Sequence, residues 1–430
     1  MTPSIHSSQP ITTDEKTNLK YLFIIGLLFF VFGFVTWLGS VLIPYLKITC
    51  QLNNISSYLV AFSFYISYLL LALPSAALLK KTGFKNGMAL GLLLISVGTL
   101  LFIPAAKTRM FSLFLVGQFI QGSGLAILQT AANPYVVMLG PRKSAAKRIS
   151  IMGICNGIAG IVAPIILGAI LLNDSDQTNL NQYAADLEKK SIVLQQIANK
   201  VIAPYAFMTI LLLLIAIFIY RSGLPEIDPE KEEEEDTTIK NDLNKNSIFQ
   251  FPHLMMGVVS LFLYVGVEVI AGDSIILYGA SQGIALSTAK FFTSFTLSGM
   301  LIGYLIGIIA IPKFLSQEKA LKISAILGIV FCLLALATNG KISLTFIALL
   351  GLANALIYPS IWPLALNGLG SFTKIGSSLL IMAIGGGAIL PLIYGRIADH
   401  FSPHQAYWMV IPCYLVILFY AIKGHKLVGK

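Results

Sequence analysis

The sequence predicts an all-α integral membrane protein with twelve transmembrane helices. Its 430 residues are 56% hydrophobic and 11% charged, whereas soluble domains carry roughly 25% charged residues. The apolar residues form continuous runs long enough for helices of ~20 residues, not the short alternating segments of a membrane β-barrel. The predicted spans, one to twelve, are 21–46, 57–79, 87–106, 110–139, 148–172, 201–220, 251–280, 289–311, 319–338, 343–369, 374–398 and 404–423.

A polar stretch divides these spans into two groups of six. It contains five consecutive acidic residues, Glu232 to Asp236, and such a block is typical of a disordered, solvated tether. The predicted organisation is an N-terminal segment 1–20, a first bundle 21–220, a charged linker 221–249, a second bundle 250–423 and a tail 424–430.

The two groups of spans resemble each other. Span four contains QTAANPYVVMLG and span ten contains NALIYPSIWPLALNGLG, so that Asn133-Pro134 aligns with Tyr358-Pro359. The spans that follow, five and eleven, each carry a proline and glycines at nearly matching offsets. This pattern indicates two pseudo-symmetric six-helix bundles related as parallel repeats, an arrangement that places a substrate site at the interface of the repeats.

The formal net charge of +10 reflects membrane topology and not a nucleic-acid partner, because the basic residues are scattered over loops. Most loop cations fall on one side of the membrane if the N-terminus is cytoplasmic, as the positive-inside rule requires. Lys189, Lys190 and Lys200 fall on the other side, so the bias is not perfect. The first twenty residues carry no cleavable signal pattern. Both termini are therefore expected to be cytoplasmic.

Two acidic residues, Glu268 and Asp273, lie deep inside span seven. A carboxylate in the hydrocarbon core costs ~2.5 kcal/mol or more, so such residues usually face a cavity or an ion path. The two side chains lie about 140° apart on an ideal helix, and Gly266 and Gly272 would permit an unwound stretch that brings them together. Otherwise, Glu268 would bond a neighbouring helix, and Asp273 would cap the helix or be exposed to solvent.

Several motifs resemble those of one transporter family. GSGLAILQTAANPYVVMLGP, KRISIMGICNGIAGIVAPIILGAI and YVGVEVIAGDSII are similar to the sugar/cation symporters of the major facilitator superfamily, in the fucose permease and bacterial glucose/galactose transporter branches. The resemblance implies the major facilitator fold, a central cavity that opens alternately to each side, and location in the bacterial inner membrane. It also implies a monomer surrounded by lipid that imports a hexose with a cation and needs no cofactor.

The resemblance also bears on the coupling ion. Fucose permeases carry acidic residues at the positions that Ser40 and Gln129 occupy here, so the two protonatable groups of that branch are absent. The deep acids that remain, Glu268 and Asp273, are therefore expected to couple the cation. This shift favours Na⁺ over H⁺, with Na⁺ near Glu268 as the one expected metal ion.

Sugar recognition needs hydrogen-bonding groups beside flat apolar surfaces. Gln129 and Asn133 are four residues apart and share a helix face, and Asn354, Tyr358 and Trp362 form a similar stripe in span ten. Asn354 would alternatively hydrogen-bond a neighbouring helix, and Trp37 would alternatively pack in the core. The expected substrate-binding residues are Gln129, Asn133, Asn156, Tyr358, Trp362 and Trp37.

Two other function classes compete with this prediction. A facilitative carrier or exporter of another small solute would use a similar architecture without ion coupling. An intramembrane enzyme would use the deep acids for catalysis, but the sequence has no HExxH or GxSxG motif and no P-loop for ATP.

Overall fold

The computed structural model describes residues 15–139, 145–183, 185–225, 247–311, 314–369 and 372–427. In these residues, twelve helical segments are long and apolar enough to cross a membrane, which confirms the predicted number. Residues 226–246, which contain the predicted acidic run of the linker, lie outside the described part of the chain.

The first half contains spans one to six. Span one is interrupted at Leu38, and Pro44 in its second helix has no N–H to donate to the carbonyl of Ser40. Span six starts earlier than predicted, because the helix Leu187–Asn199 extends it beyond its apolar part. The helices are Glu15–Trp37, Gly39–Thr49, Asn54–Thr82, Phe84–Leu100, Phe102–Thr108, Phe111–Met138, Ala145–Leu171, Asp174–Gln182, Leu187–Asn199 and Ile202–Arg221.

The second half contains spans seven to twelve. Span ten is interrupted at Ala355 and Leu356, because Pro359 has no N–H to donate to the carbonyl of Ala355. The helices are Pro252–Asp273, Ile275–Ser281, Leu286–Ala310, Gln317–Ala337, Gly340–Asn354, Ile357–Leu366, Thr373–Met382, Gly386–His400, Pro403–Ala406 and Val410–Ile422.

The helix contacts repeat with a period of six spans. In the first half, span one packs on five, two on four, three on four and three on six; in the second half, seven packs on eleven, eight on ten, nine on ten and nine on twelve. Between the halves, span two packs on eleven and five on eight. This correspondence confirms the two pseudo-symmetric bundles that the sequence similarity predicts.

The halves are tied together at the end of the bundle where the odd-numbered spans end, here called the distal end. The Asp399 carboxylate of span eleven accepts hydrogen bonds from the amides of Asn54 and Ile55 at the start of span two. On the other flank, the Asp174 carboxylate accepts a hydrogen bond from the Ser287 amide. The structure is therefore closed at its distal end.

Candidate functional site

A carboxylate and three aromatic rings form one group between spans seven and ten. The Tyr264 hydroxyl donates a 2.9 Å hydrogen bond to Oε1 of Glu268. The ring of Tyr264 lies 6.4 Å from that of Tyr358, which stacks on Trp362 at a centroid distance of 5.6 Å. Tyr264 is buried, whereas Glu268, Tyr358 and Trp362 are half-buried. The structure thus brings together three residues predicted for the site and offers an acceptor beside aromatic faces.

The first half presents amides and tyrosines opposite this group. Nε2 of Gln129 donates to the Tyr68 hydroxyl at 3.3 Å, and Tyr68 lies near Tyr358 of the other half. Asn133 lies one turn further along the helix Phe111–Met138 and is exposed. Exposed polar groups at this depth are expected to line a cavity, because contact with lipid would be costly.

Asn156 lies where spans one and five approach closely. A Cβ on Gly33 would overlap the backbone carbonyl of Asn156, so glycine permits this approach. The Asn156 side chain is half-buried. No hydrogen bond from it to another described residue is present, so its donor and acceptor are available to a ligand.

Trp37 is packed between the halves. It is 7% exposed, and its neighbours include Leu297 and Met300 of span eight. A Cβ on Gly160 would lie 2.6 Å from its ring, and one on Gly272 would overlap it. Trp37 therefore packs in the core, as the alternative to a substrate-binding role expected. It could contact a sugar only if the halves separate.

The polar stripe predicted for span ten is divided by the interruption before Ile357. Asn354 is buried at the end of the preceding helix, and its Oδ1 accepts a 2.7 Å hydrogen bond from the Tyr414 hydroxyl. Its environment is that of a residue bonding a neighbouring helix. Only Tyr358 and Trp362 of the stripe remain together, because both lie in the helix Ile357–Leu366.

The two deep acids lie on one continuous helix, Pro252–Asp273, so the expected unwound stretch is wrong. Gly266 and Gly272 serve close packing instead, because a Cβ on the former would overlap Leu390 and one on the latter would overlap Trp37. The alternative of a solvent-exposed Asp273 is also wrong, since this residue is 2% exposed. The acids therefore occupy different surroundings.

Some residues of this region are missing from the sequence-based prediction. Tyr264 precedes Glu268 by one helical turn, so the i, i+4 spacing already places them on one face. Tyr68 and the distal contact residue Asp399 have no such local signal. Their partners Gln129 and Asn54 lie 61 and 345 residues away along the chain.

Comparison with known proteins agrees with this architecture. The family model of the Major Facilitator Superfamily matches residues 25–373 of this chain. The glucose/galactose transporter of Brucella abortus is 34% identical over 99% of this chain and 100% of its own length. The L-fucose-proton symporter of Escherichia coli is 28% identical over 91% of each chain. The crystal structure of the transporter FucP in the outward conformation has 27% identity and a TM-score of 0.69, covering 94% of this chain and 98% of its own.

Proposed function

The chain belongs to the major facilitator superfamily, and from this premise we propose that it imports a hexose together with a cation by alternating access. It is a multi-pass membrane transporter and not an enzyme. The observation that carries the proposal is the group formed by Glu268, Tyr358 and Trp362, which lies near the Gln129–Tyr68 pair of the other half.

This group suits a hexose for chemical reasons. Stacked aromatic rings offer flat apolar area to the C–H face of a sugar ring. The Glu268 carboxylate accepts hydrogen bonds, and the amides of Gln129, Asn133 and Asn156 both donate and accept them. The names of similar proteins, a glucose/galactose transporter and an L-fucose-proton symporter, support the same substrate class.

For the coupling ion, Na⁺ is favoured over H⁺, with Glu268 and Asp273 as the coupling acids. Fucose permeases have acidic residues at two positions that are occupied here by Ser40 and Gln129, and neither of these side chains carries a titratable proton. A hard cation suits carboxylate and carbonyl oxygens. The name of the Escherichia coli relative specifies a proton for that protein, so the two ions need a direct test.

Location in the bacterial inner membrane with both termini cytoplasmic follows from the same proposal. The basic residues Lys80, Lys81 and Lys85 lie at the end opposite the distal end, between spans two and three. On the distal side, Lys200 forms an ion pair with Asp176 at 2.6 Å, but it stays an exception because the positive-inside rule counts Lys and Arg and not net charge. The monomeric state and the absence of a nucleic-acid partner remain predictions.

Uptake into proteoliposomes tests the proposal. A panel of labelled sugars is supplied while a Na⁺ gradient or a proton gradient is imposed separately. We expect accumulation of glucose, galactose or a fucose-like sugar under the Na⁺ gradient. Accumulation on a proton gradient in Na⁺-free buffer would show that the ion is H⁺. Counterflow without accumulation under either gradient would instead identify a facilitative carrier.

A further inference from the structure

Asp273 is a buried acid with an incomplete set of partners. It is the last residue of the helix Pro252–Asp273 and is 2% exposed. Its Oδ1 atom is buried without a hydrogen-bond partner among the residues that the structure describes. Glu268, in contrast, is half-buried and hydrogen-bonded to Tyr264. A buried polar atom without a partner is costly, so Asp273 needs an explanation that Glu268 does not.

The other half of the protein covers this carboxylate. A Cβ on Gly39 would lie 2.8 Å from Oδ2 of Asp273, so glycine lets the carboxylate approach span one this closely. The ring of Trp37 covers the preceding Gly272. Trp37 and Gly39 flank the interruption of span one at Leu38. The segment 37–39, here called the span-one corner, therefore closes directly over Asp273.

No basic side chain of the described residues forms an ion pair with Asp273. The titratable side chains near Asp273 include Glu268 of the same helix and Tyr58 and Tyr65 of span two. Glu268 would repel an ionised Asp273, and the tyrosines carry no positive charge. An ionised carboxylate buried without a counter-charge costs several kcal/mol. The closed distal end therefore requires a neutralised Asp273.

We propose that Asp273 binds a monovalent cation, H⁺ or Na⁺, while the distal end is open, and that this neutralisation lets the span-one corner close over it. A proton would form the carboxylic acid, and Na⁺ would be held by the carboxylate and neutral oxygens nearby. The proposal rests on the proposed symport and deepens it, because it assigns the gating of the distal end to Asp273. Sugar and cation would then enter together because closure needs the cation.

Carbodiimide labelling of the purified full chain tests the site without a transport assay. Dicyclohexylcarbodiimide modifies protonated carboxyl groups in apolar surroundings, and mass spectrometry of peptides locates the adduct. We expect an adduct on Asp273 that decreases as the pH rises. Protection by NaCl but not by choline chloride at one pH identifies Na⁺, whereas equal labelling in both salts identifies H⁺. Labelling that is insensitive to both pH and Na⁺, or no adduct at any pH, would overturn the proposal.

Two variants test the coupling to the gate. Asp273→Asn mimics the neutralised side chain, so we expect cation-driven accumulation to fall by about fiftyfold, the factor that one charge moving through 100 mV supplies. Counterflow, which needs no net cation movement, should retain a larger fraction. Gly39→Ala places a methyl group against Oδ2 of Asp273 and should slow closure of the distal end. The control is Gly153→Ala, whose methyl group would enter open space and should leave closure unchanged.

The outcomes separate this proposal from the proposed function. If the wild type accumulates sugar and Asp273→Asn accumulates it equally well, Asp273 is not the gating group, while symport stands. If the wild type accumulates no sugar under either gradient, the symport is wrong; labelling of Asp273 that responds to pH or Na⁺ would then still support a cation site. An Asp273→Asn protein that does not fold leaves the wild-type labelling as the decisive result.

Discussion

Asp399 caps the helix that begins at Asn54, although the two residues belong to different halves of the protein. Its Oδ1 and Oδ2 atoms accept hydrogen bonds of 2.9 and 2.8 Å from the amides of Asn54 and Ile55. These amides belong to the first turn of span two, which has no intrahelical acceptors for them, and a negative charge there is favoured by the helix dipole. Asp399 thereby stabilises the distal closure of the transporter.

Asp399→Ala should shift the protein toward a distal-open state. Loss of a helix-capping side chain costs about 1 kcal/mol, and here the cost falls only on the state in which the halves touch. Pulsed electron paramagnetic resonance between labels at Gln51 and Phe401, after replacement of the native cysteines, should show more long distances. Asp186 caps a helix within its own half by accepting a hydrogen bond from the Lys189 amide, so Asp186→Ala is the control. Equal distance distributions in both variants would rule out an Asp399 latch.

Lys290 forms a second latch on the opposite flank. Its Nζ donates to the carbonyls of Gly168 and Leu172 at 3.4 and 3.3 Å, at the C-terminal end of span five, where a positive charge is favoured. Lys290→Met keeps the buried volume but removes these contacts. We expect more distal-open molecules in the same distance measurement. Lys341→Met, at an exposed site of the distal end, should leave the distribution unchanged; an equal effect of the two variants would contradict the latch.

Glu268→Gln tests the coupling role of the second deep acid. Glutamine keeps the shape and can still accept the Tyr264 hydrogen bond, but it carries no charge. We expect sodium-driven accumulation in proteoliposomes to disappear and sugar counterflow to survive in part. Tyr264→Phe is the companion variant, because it removes the hydrogen bond and keeps the charge. Full sodium-dependent accumulation in Glu268→Gln would exclude Glu268 as a coupling group.

Asn156→Ala should weaken sugar binding. Its amide has no partner among the described residues, and loss of a hydrogen bond that leaves a sugar hydroxyl unpaired costs ~1–3 kcal/mol. Calorimetry on the purified protein should therefore show an affinity lower by about tenfold, with normal expression. Asn86→Ala, at an exposed site near the start of span three, is the control. An affinity equal to that of the wild type would remove Asn156 from the site.

Labelling of single cysteines tests the orientation in the membrane. Gly223 lies beyond span six in open space, and Gln51 is exposed at the distal end. With cytoplasmic termini, a membrane-impermeant maleimide added to whole cells should label Gln51→Cys and not Gly223→Cys. The reverse pattern would invert the proposed topology.

The hydrophobic runs of the sequence determined the number of spans and the division into halves. Whether a segment enters the membrane depends on its own length and apolarity, so twelve spans and the fold class could be predicted from local sequence and are confirmed. The depth of Glu268 and Asp273 also followed from their position in a run, as did the shared helix of Tyr358 and Trp362.

Only the tertiary structure decided which of these residues meet. Gly39 approaches Asp273, Tyr414 bonds Asn354 and Asp399 caps the helix at Asn54, and in each pair the partners are 60 or more residues apart in the chain. Such contacts depend on how the spans pack and on which end of the bundle is closed, properties that no local run of residues encodes. The sequence therefore placed two acids in the membrane. The packing of the halves left Glu268 beside Tyr264 and buried Asp273 beneath the span-one corner.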